Sequence, residues 1–360
     1  MSNEEGPAKL EIGKTIGRFV ITGKIGEGAC GAVYICKEKS TNKEAALKAE
    51  LISEYGNGLK LEVQILRRLK GKRHVAQLIS CGKNEVYCYM VITLLGKSLS
   101  YYMHTYRLRF TLSTVLRVAI QTLYGLKQIH EVGILHRDMK PANMTIGRYG
   151  IERRIIHIID FGLSREFTIV DNGKLRIRKP RVKCLFRGTV KYCSTNALER
   201  KEQGRGDDLV SLFYICGEFR KSLPWARARS KEEVYRIKKQ LPDEVLFPDS
   251  QELVQLLGYA KGLNYFERPD YHFVYKKLRD AMKKGGYKFS EPYDWELYEC
   301  FNKQPSMPTM ELKPVETIHT QKTQEFKLPY DQYFEIVQYS DKFFEDHLHE
   351  NKFKENELGF

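Results

Sequence analysis

Near Gly96 the hydrophobic pattern of this chain passes from mainly strand-like to mainly helical, and that change limits the folds open to it. From Phe19 to about Glu50, short apolar runs are broken by glycine (FVITGKIGEG, GAVYICKE, EAALKAEL), the pattern of three antiparallel strands with tight turns. From Gly58 to Leu69 the period lengthens: Leu61, Ile65 and Leu69 recur every four residues, with basic residues opposite, which predicts a helix. Two further strands are expected around Val75 to Ser80 and Val86 to Thr93. Beyond Gly96, Leu112 to His130 sets Leu116, Ala119, Leu123, Leu126 and Ile129 at helical spacing, interrupted later by two β-like runs, Met144 to Ile146 and Ile155 to Ile159. The order predicts an α+β fold of two lobes: a small β-rich lobe with one main helix over 16–95 and a larger, mainly helical lobe over 96–296. Residues 1–15 form an N-terminal extension, and 297–360 a tail without an assigned role in which 331–348 (DQYFEIVQYSDKFFEDHL) suits an amphipathic helix.

Bulk properties remove several function classes. No stretch supplies the roughly 18 consecutive apolar residues of a membrane span, and the N-terminus lacks an apolar signal region, so a cytoplasmic protein, with the nucleus also open to it, is expected. The eight cysteines are scattered with no C-x-x-C pair, which argues against zinc or a disulfide framework and suits small core residues. The net charge of +15 asks for an anionic partner without naming it.

Four motifs carry chemistry. Gly26-Glu27-Gly28-Ala29-Cys30-Gly31-Ala32-Val33 is a G-x-G-x-x-G-x-V turn, with Ile25 just before it, whose bare backbone can lie over phosphates. A dinucleotide-binding loop shares six of these positions, but it would lead into a helix, and a strand-like AVYICKE follows here. Next, Ala45-Ala46-Leu47-Lys48 resembles a V-A-I-K strand, with Lys48 set to meet α and β phosphates and Glu62, on the helix after it, as its ion-pair partner. The octet His136-Arg137-Asp138-Met139-Lys140-Pro141-Ala142-Asn143 is the most specific. It matches H-R-D-x-x-x-x-N, in which Asp138 would take the proton of an attacking hydroxyl, Lys140 would offset charge growing on a γ-phosphate, and Asn143 would hold magnesium. Finally Asp160-Phe161-Gly162 follows the apolar IIHII, and Asp160 would bind the magnesium that bridges β and γ phosphates.

In that order, these residues resemble the eukaryotic protein kinases over roughly Ile16 to Glu296. More narrowly the chain is similar to the casein kinase 1 superfamily in its tau-tubulin kinase branch, through FRGTVKYCSTNALERKEQGRGDDLVSLF (186–213), Leu223-Pro224-Trp225, Pro269-Asp270-Tyr271 and Tyr293-Asp294-Trp295-Glu296. Ser194-Thr195-Asn196 stands in place of the usual A-P-E element. The resemblance implies a two-lobed protein kinase fold, ATP and Mg2+ as cofactors, and transfer of phosphate to serine or threonine, since Lys140 is the serine/threonine type. It implies Ile92 as gatekeeper, Thr93-Leu94-Leu95 as the adenine-binding hinge beside Ala46, and Asp208 as a buried support for the catalytic loop. It further implies activity without phosphorylation of the activation segment, and association with microtubules or tubulin tails. Val210, Met139 and Thr195 depart from the branch's usual tryptophan, isoleucine and isoleucine, which bears on fit more than on chemistry.

The segment from Ser164 to Lys191 carries nine cations, among them Lys179, Arg181, Lys183, Arg187 and Lys191, against Glu166 and Asp171. As the floor of a peptide groove it should favour acidic or already phosphorylated protein substrates. The competing reading is a solvated basic loop that adds only to solubility. Aromatics interleaved with basic residues, or a base-reading motif, are missing, which speaks against nucleic acid as the main partner. A second function stays open, that of a pseudokinase: a kinase-shaped interaction module with little turnover.

Overall fold

The computed structural model describes residues 8–28, 31–52, 58–302 and 341–360. The smaller lobe is a sheet of β1 (Thr15–Ile16), β2 (Phe19–Gly28), β3 (Gly31–Glu38), β4 (Glu44–Leu51), β5 (Leu78–Lys83) and β6 (Tyr87–Thr93), antiparallel in the order β1-β2-β3-β4-β6-β5. Alternation divides its faces. Tyr34, Cys36, Leu47, Ala49 and Val91 point one way, into a small core closed by Leu10, Phe19 and Ile21. The intervening residues lie on the face toward the larger lobe, where register sets Lys48 between Val33 and Met90, and Ala46 between Ile35 and Ile92. Helix α1 (Gly58–Arg68) buries Leu59, Val63, Ile65 and Leu66, and with them Glu62.

The three main strands and α1 fall where periodicity put them. The strand expected near Val75 begins later, at Leu78, because the Gln77 amide donates to the carbonyls of Lys72 and Val75 and holds the preceding residues in a turn.

The larger lobe is built on helices that start at side-chain caps. Helix α2 (Leu99–Thr105) begins where the Ser98 hydroxyl accepts from the Tyr101 N–H, and α3 (Leu112–Glu131) where Thr111 accepts from Thr114. The predicted stripe of α3, Leu116, Ala119, Leu123, Leu126 and Ile129, is fully buried. After α3 the chain runs through β7 (Ile134–Leu135), the hairpin β8 (Met144–Ile146) and β9 (Ile156–Ile158), β10 (Arg165–Glu166), and a second hairpin, β11 (Thr168–Asp171) and β12 (Lys174–Ile177). Helices α4 (Thr195–Leu198), α5 (Arg205–Arg220), α6 (Lys231–Gln240), α7 (Gln251–Gly262), α8 (Tyr271–Lys284) and α9 (Asp294–Asn302) complete it, with α3, α5, α7 and α8 packed on one another. Among the described residues no helix is long and apolar enough to cross a membrane. Cys36, Cys184, Cys193 and Cys216 are buried, and these four together with Cys81 and Cys88 are free thiols.

Residues 341–347 are helical, whereas the earlier part of the helix expected over 331–348 lies outside the described residues. The segment 341–360 docks along both lobes. Phe344 stacks on Phe289 at 5.1 Å and Phe353 on Tyr275 at 4.2 Å, both fully buried. The turn after α1 is gripped as well: Lys72 pairs with Glu357 at 3.0 Å, and Arg73 lies 4.8 Å over the Phe343 ring. Between them His74 and His347 stack, with their Nε2 atoms 2.8 Å apart. The Ile156 carbonyl, 2.7 Å from His74 Nδ1, can only accept, so Nδ1 carries the proton, Nε2 of His74 accepts, and His347 Nε2 donates. A proton added to His74 would set two N–H groups against each other.

Burial, reinforced by Arg73, holds His347 down to about 4, and burial with the neighbouring His347 holds His74 well below 6.5. Undocked, these imidazoles bind protons that the docked pair refuses, so docking is fully present above pH ~6.5 and weakens towards pH ~4, by up to about 1.4 kcal/mol per pH unit per histidine. Hydrogen exchange at pH 7 and pH 5 should therefore show 341–360 losing protection on acidification ahead of α3 and α5. A His347→Phe protein should lose part of that pH dependence.

Candidate active site

Helix α3 ends at Glu131 and the chain turns back through β7 into His136-Arg137-Asp138, whose shape is imposed by one carboxylate from α5. Asp208, 2 % exposed, accepts the backbone N–H of His136 and of Arg137, each at 2.8 Å, and His130 Nε2 at 2.9 Å. Burial opposes its charge, but these donors, His130 foremost, keep it ionised and below the usual carboxylate range. His130 is oriented in turn by the Tyr271 hydroxyl, 2.6 Å from Nδ1. Under this grip Arg137 takes a left-handed φ of 64°, and its guanidinium donates to the carbonyls of Leu163 at 2.8 Å and Ser164 at 3.3 Å. Gly188 passes so close that a Cβ there would lie 2.7 Å from the Arg137 carbonyl oxygen, and its φ of +113° also demands glycine.

Asp138 therefore faces the cleft with both oxygens engaged. Oδ2 accepts from Lys140 Nζ at 2.6 Å and Oδ1 from the Thr189 hydroxyl at 2.7 Å. The Asn143 amide nitrogen donates to the Asp138 carbonyl at 3.0 Å, which turns its oxygen outward. Across the hairpin β8–β9 stands Asp160, also left-handed at φ 68°. Lys48 Nζ reaches Glu62 at 2.6 Å and Asp160 Oδ1 at 3.6 Å, and the other Glu62 oxygen accepts the Phe161 N–H at 3.3 Å. Burial opposes the Asp160 charge, but Lys48 and His136 outweigh it and its carboxyl sits below the ordinary value. The helix of the small lobe, its central strand and the D-F-G turn are thus joined through one buried ion pair, with Phe161 packed on the His136 ring at 5.3 Å.

The donor set fits a metal-bound nucleotide. Asn143 and Asp160 offer two hard oxygens, too few for an all-protein cage, and no group of three or more His, Cys, Asp or Glu suited to a metal occurs among the described residues. That number suits Mg2+, which keeps water and phosphate oxygens in most of its shell. At the hinge the Thr93 N–H is taken by the Gln77 carbonyl at 3.0 Å, whereas the Leu95 backbone has no protein partner among the described residues and is open to a base edge. In the glycine turn Gly26 has open space on the side a Cβ would occupy, where phosphates can approach. Gly31 is required for a different reason: a Cβ there would sit 2.4 Å from the Ala49 carbonyl oxygen of β4, at φ +108°.

Residues 19–272 match the protein kinase domain family. The chain belongs to the protein kinases. A Caenorhabditis elegans protein bearing a provisional serine/threonine-protein kinase name is 43 % identical over 303 residues, 82 % of this chain and 87 % of that one. A Dictyostelium discoideum protein with a similarly provisional serine/threonine-protein kinase name is 36 % identical over 285 residues, 78 % of this chain and 57 % of its own length. The α+β two-lobed fold is that of the family, and the domain implies use of ATP on protein substrates.

The kinase brings Lys48, Glu62, Asp138, Lys140, Asn143 and Asp160 together around one cleft, with Val33, Ala46 and Ile92 on the sheet face above it. Ile25 is exposed where β2 slips register against β3. The five cations expected at a substrate separate into two groups. Arg181 is bound by Glu202 at 2.7 and 3.0 Å and Lys191 by Glu218, so both spend their charge inside the domain. Lys179, Lys183 and Arg187 are exposed and form no ion pair among the described residues. Sequence reading missed Thr189, Glu202 and Glu218. It also missed the hairpin β11–β12, although Asn172-Gly173, both at positive φ, is a hairpin-turn signal that was there to use.

Asp208→Asn should destabilise the kinase by about 3 kcal/mol, because an asparagine keeps only one oxygen and turns an NH2 toward a backbone N–H that cannot accept. Urea unfolding measures it; a loss under about 1 kcal/mol would show that the loop holds its shape without that carboxylate.

Proposed function

We propose that this kinase is catalytically active and transfers the γ-phosphate of ATP to serine or threonine hydroxyls of acidic or already phosphorylated protein substrates, as a member of the casein kinase 1 superfamily close to the tau-tubulin kinases. The observation that carries activity is the assembled state of the cleft: Lys48 paired with Glu62, and Asp138 held by Lys140 and Thr189. A pseudokinase would have no need to keep this set in register.

The chemistry follows from placement. Mg2+-ATP supplies the phosphoryl group and charge neutralisation on its phosphates. Asp138 accepts the proton as the substrate hydroxyl oxygen bonds to the γ-phosphorus and ADP departs. Lys140, 2.6 Å from Asp138, faces the charge that grows on the transferred group, and Thr189 fixes the rotamer of the base. Asn143 and Asp160 would hold the metal, and Lys48 would pair the α and β phosphates.

Independence from activation-segment phosphorylation is supported by Glu202. This side chain, 2 % exposed, binds Arg181 and, at 3.2 Å, Arg165, so a built-in carboxylate organises the basic segment in the place where an added phosphate would otherwise be needed. The acidic-substrate preference rests on Lys179, Lys183 and Arg187, whose charge is left for a partner, and acidic tubulin tails have matching chemistry. The narrower branch is supported by Ser194-Thr195-Asn196, in which Ser194 caps α4 and Asn196 donates to Asp207 at 3.0 Å.

Purified kinase should transfer labelled phosphate from Mg2+-ATP to casein, and Asp138→Asn should lower kcat by at least ~100-fold while the melting temperature stays near that of the wild type. A folded wild-type protein without turnover would return the pseudokinase reading. Mass spectrometry should find the active protein unphosphorylated between Ser164 and Lys191. Lys183→Glu with Arg187→Glu should raise KM several-fold for phosphorylated peptides and little for neutral ones; equal effects on both would leave the basic segment a solvated loop.

A further inference from the structure

The loop Thr189–Ser194 lies between the candidate base and α6, and its backbone is held by side chains to an unusual extent. Thr189 touches Asp138 directly. The next carbonyls are then claimed in turn: Val190 by Lys238 Nζ at 2.8 Å, Lys191 by the Trp225 indole N–H at 2.8 Å, and Cys193 by Lys238 Nζ at 2.6 Å. Glu218 holds the side chains of Lys191 and Tyr192.

Lys238 is the strangest member of this set. It is 2 % exposed and forms no ion pair with a carboxylate among the described residues. Its ammonium is instead enclosed by two carbonyls and two ring faces, Tyr214 at 4.8 Å and Trp225 at 5.0 Å. Burial pulls its pKa down to about 8, the mark of a cation kept out of water. A buried lysine is costly to keep, and an apolar residue of the same length would pack the site without that cost. What the apolar residue cannot do is tie Val190 to Cys193 across the bend.

We propose that Lys238 is a positioning residue for the protein substrate: by fixing the carbonyls of Val190 and Cys193 it sets the loop that abuts Asp138, and with it the seat of the substrate segment beside the acceptor serine or threonine. This rests on the reading of Asp138 as the base of an active kinase. The ammonium of Lys238 spends its hydrogen bonds on this loop, so its effect falls on peptide binding and leaves nucleotide binding alone.

The test uses the full-length kinase and peptides that differ only at the residues flanking the acceptor. Lys238→Met keeps length and ring contact and removes the donors. It should raise the peptide KM roughly tenfold, the worth of a buried charged hydrogen bond, hold the ATP KM within about twofold, and flatten the ranking of the peptides; Lys238→Arg should restore much of both. Should Lys238→Met fail to fold, Trp225→Phe removes a single donor from the same loop, keeps the ring, and should give the same split in weaker form. Unchanged peptide KM and ranking, or equal losses for ATP and peptide, in either folded variant overturns the proposal. An inactive wild-type protein would instead sink the proposed function.

Discussion

A negative charge sealed from water organises the large lobe. Asp208 sits on α5, in the middle of the core, where an unpaired carboxylate would be driven to take up a proton. It remains ionised because the chain delivers two backbone N–H groups and an imidazole to it, and delivering them requires His136 and Arg137 to adopt one conformation, with Arg137 left-handed. The strain at Arg137 and the burial of Asp208 are therefore two sides of one arrangement. Asp138, the next residue, inherits its direction from it.

The same logic is used at a second place, between lobes. Lys48 on the sheet, Glu62 on α1 and Asp160 before Phe161 form a chain of alternating charge, and the second Glu62 oxygen accepts from the Phe161 backbone. Sheet, helix and metal-side turn each contribute one group, so none can shift without breaking a short contact in a partly dry site. The docked segment 341–360 adds a brace outside the cleft, because Lys72, Arg73 and His74, which it grips, lie in the turn that leads out of α1. The position of Glu62 is in this way tied both to the cleft and to the far end of the chain.

Much of this was legible in the sequence, for physical reasons that can be named. The strands Phe19–Gly28, Gly31–Glu38 and Glu44–Leu51 and the helix Leu112–Glu131 showed themselves because each has one face against a core, and a half-buried element must alternate or repeat. Lys48, Asp138, Asn143 and Asp160 were found by order and spacing. Thr189, Glu202, Glu218 and Lys238 were not, since a single polar residue in an ordinary stretch gives no local sign of being buried against a partner far along the chain. The steric demand at Gly31 stayed hidden for a related reason: a Cβ there would meet Ala49 on β4, a contact that only register reveals. The brace was half visible: an amphipathic helix over 331–348 marks Phe344 and Leu348 as residues with an apolar face to bury, whereas their partners, like that of Phe353 on α8, lie far back along the chain and leave no local sign.

Charge explains how the activation segment can be so basic and still be ordered. Acids neutralise part of it from within: buried Glu202 takes Arg165 and Arg181, buried Glu218 takes Lys191, and the half-buried Glu166 takes Arg178 together with Arg68 of α1. The Glu218 pair also fixes the backbone that follows Thr189, the residue that touches Asp138. The exposed cations that form no ion pair among the described residues, Lys174, Lys179, Lys183 and Arg187, keep a field that reaches an approaching anion before contact. A basic surface and an ordered backbone are thus made from the same run of residues, divided by which side chains find an acid of the domain and which do not.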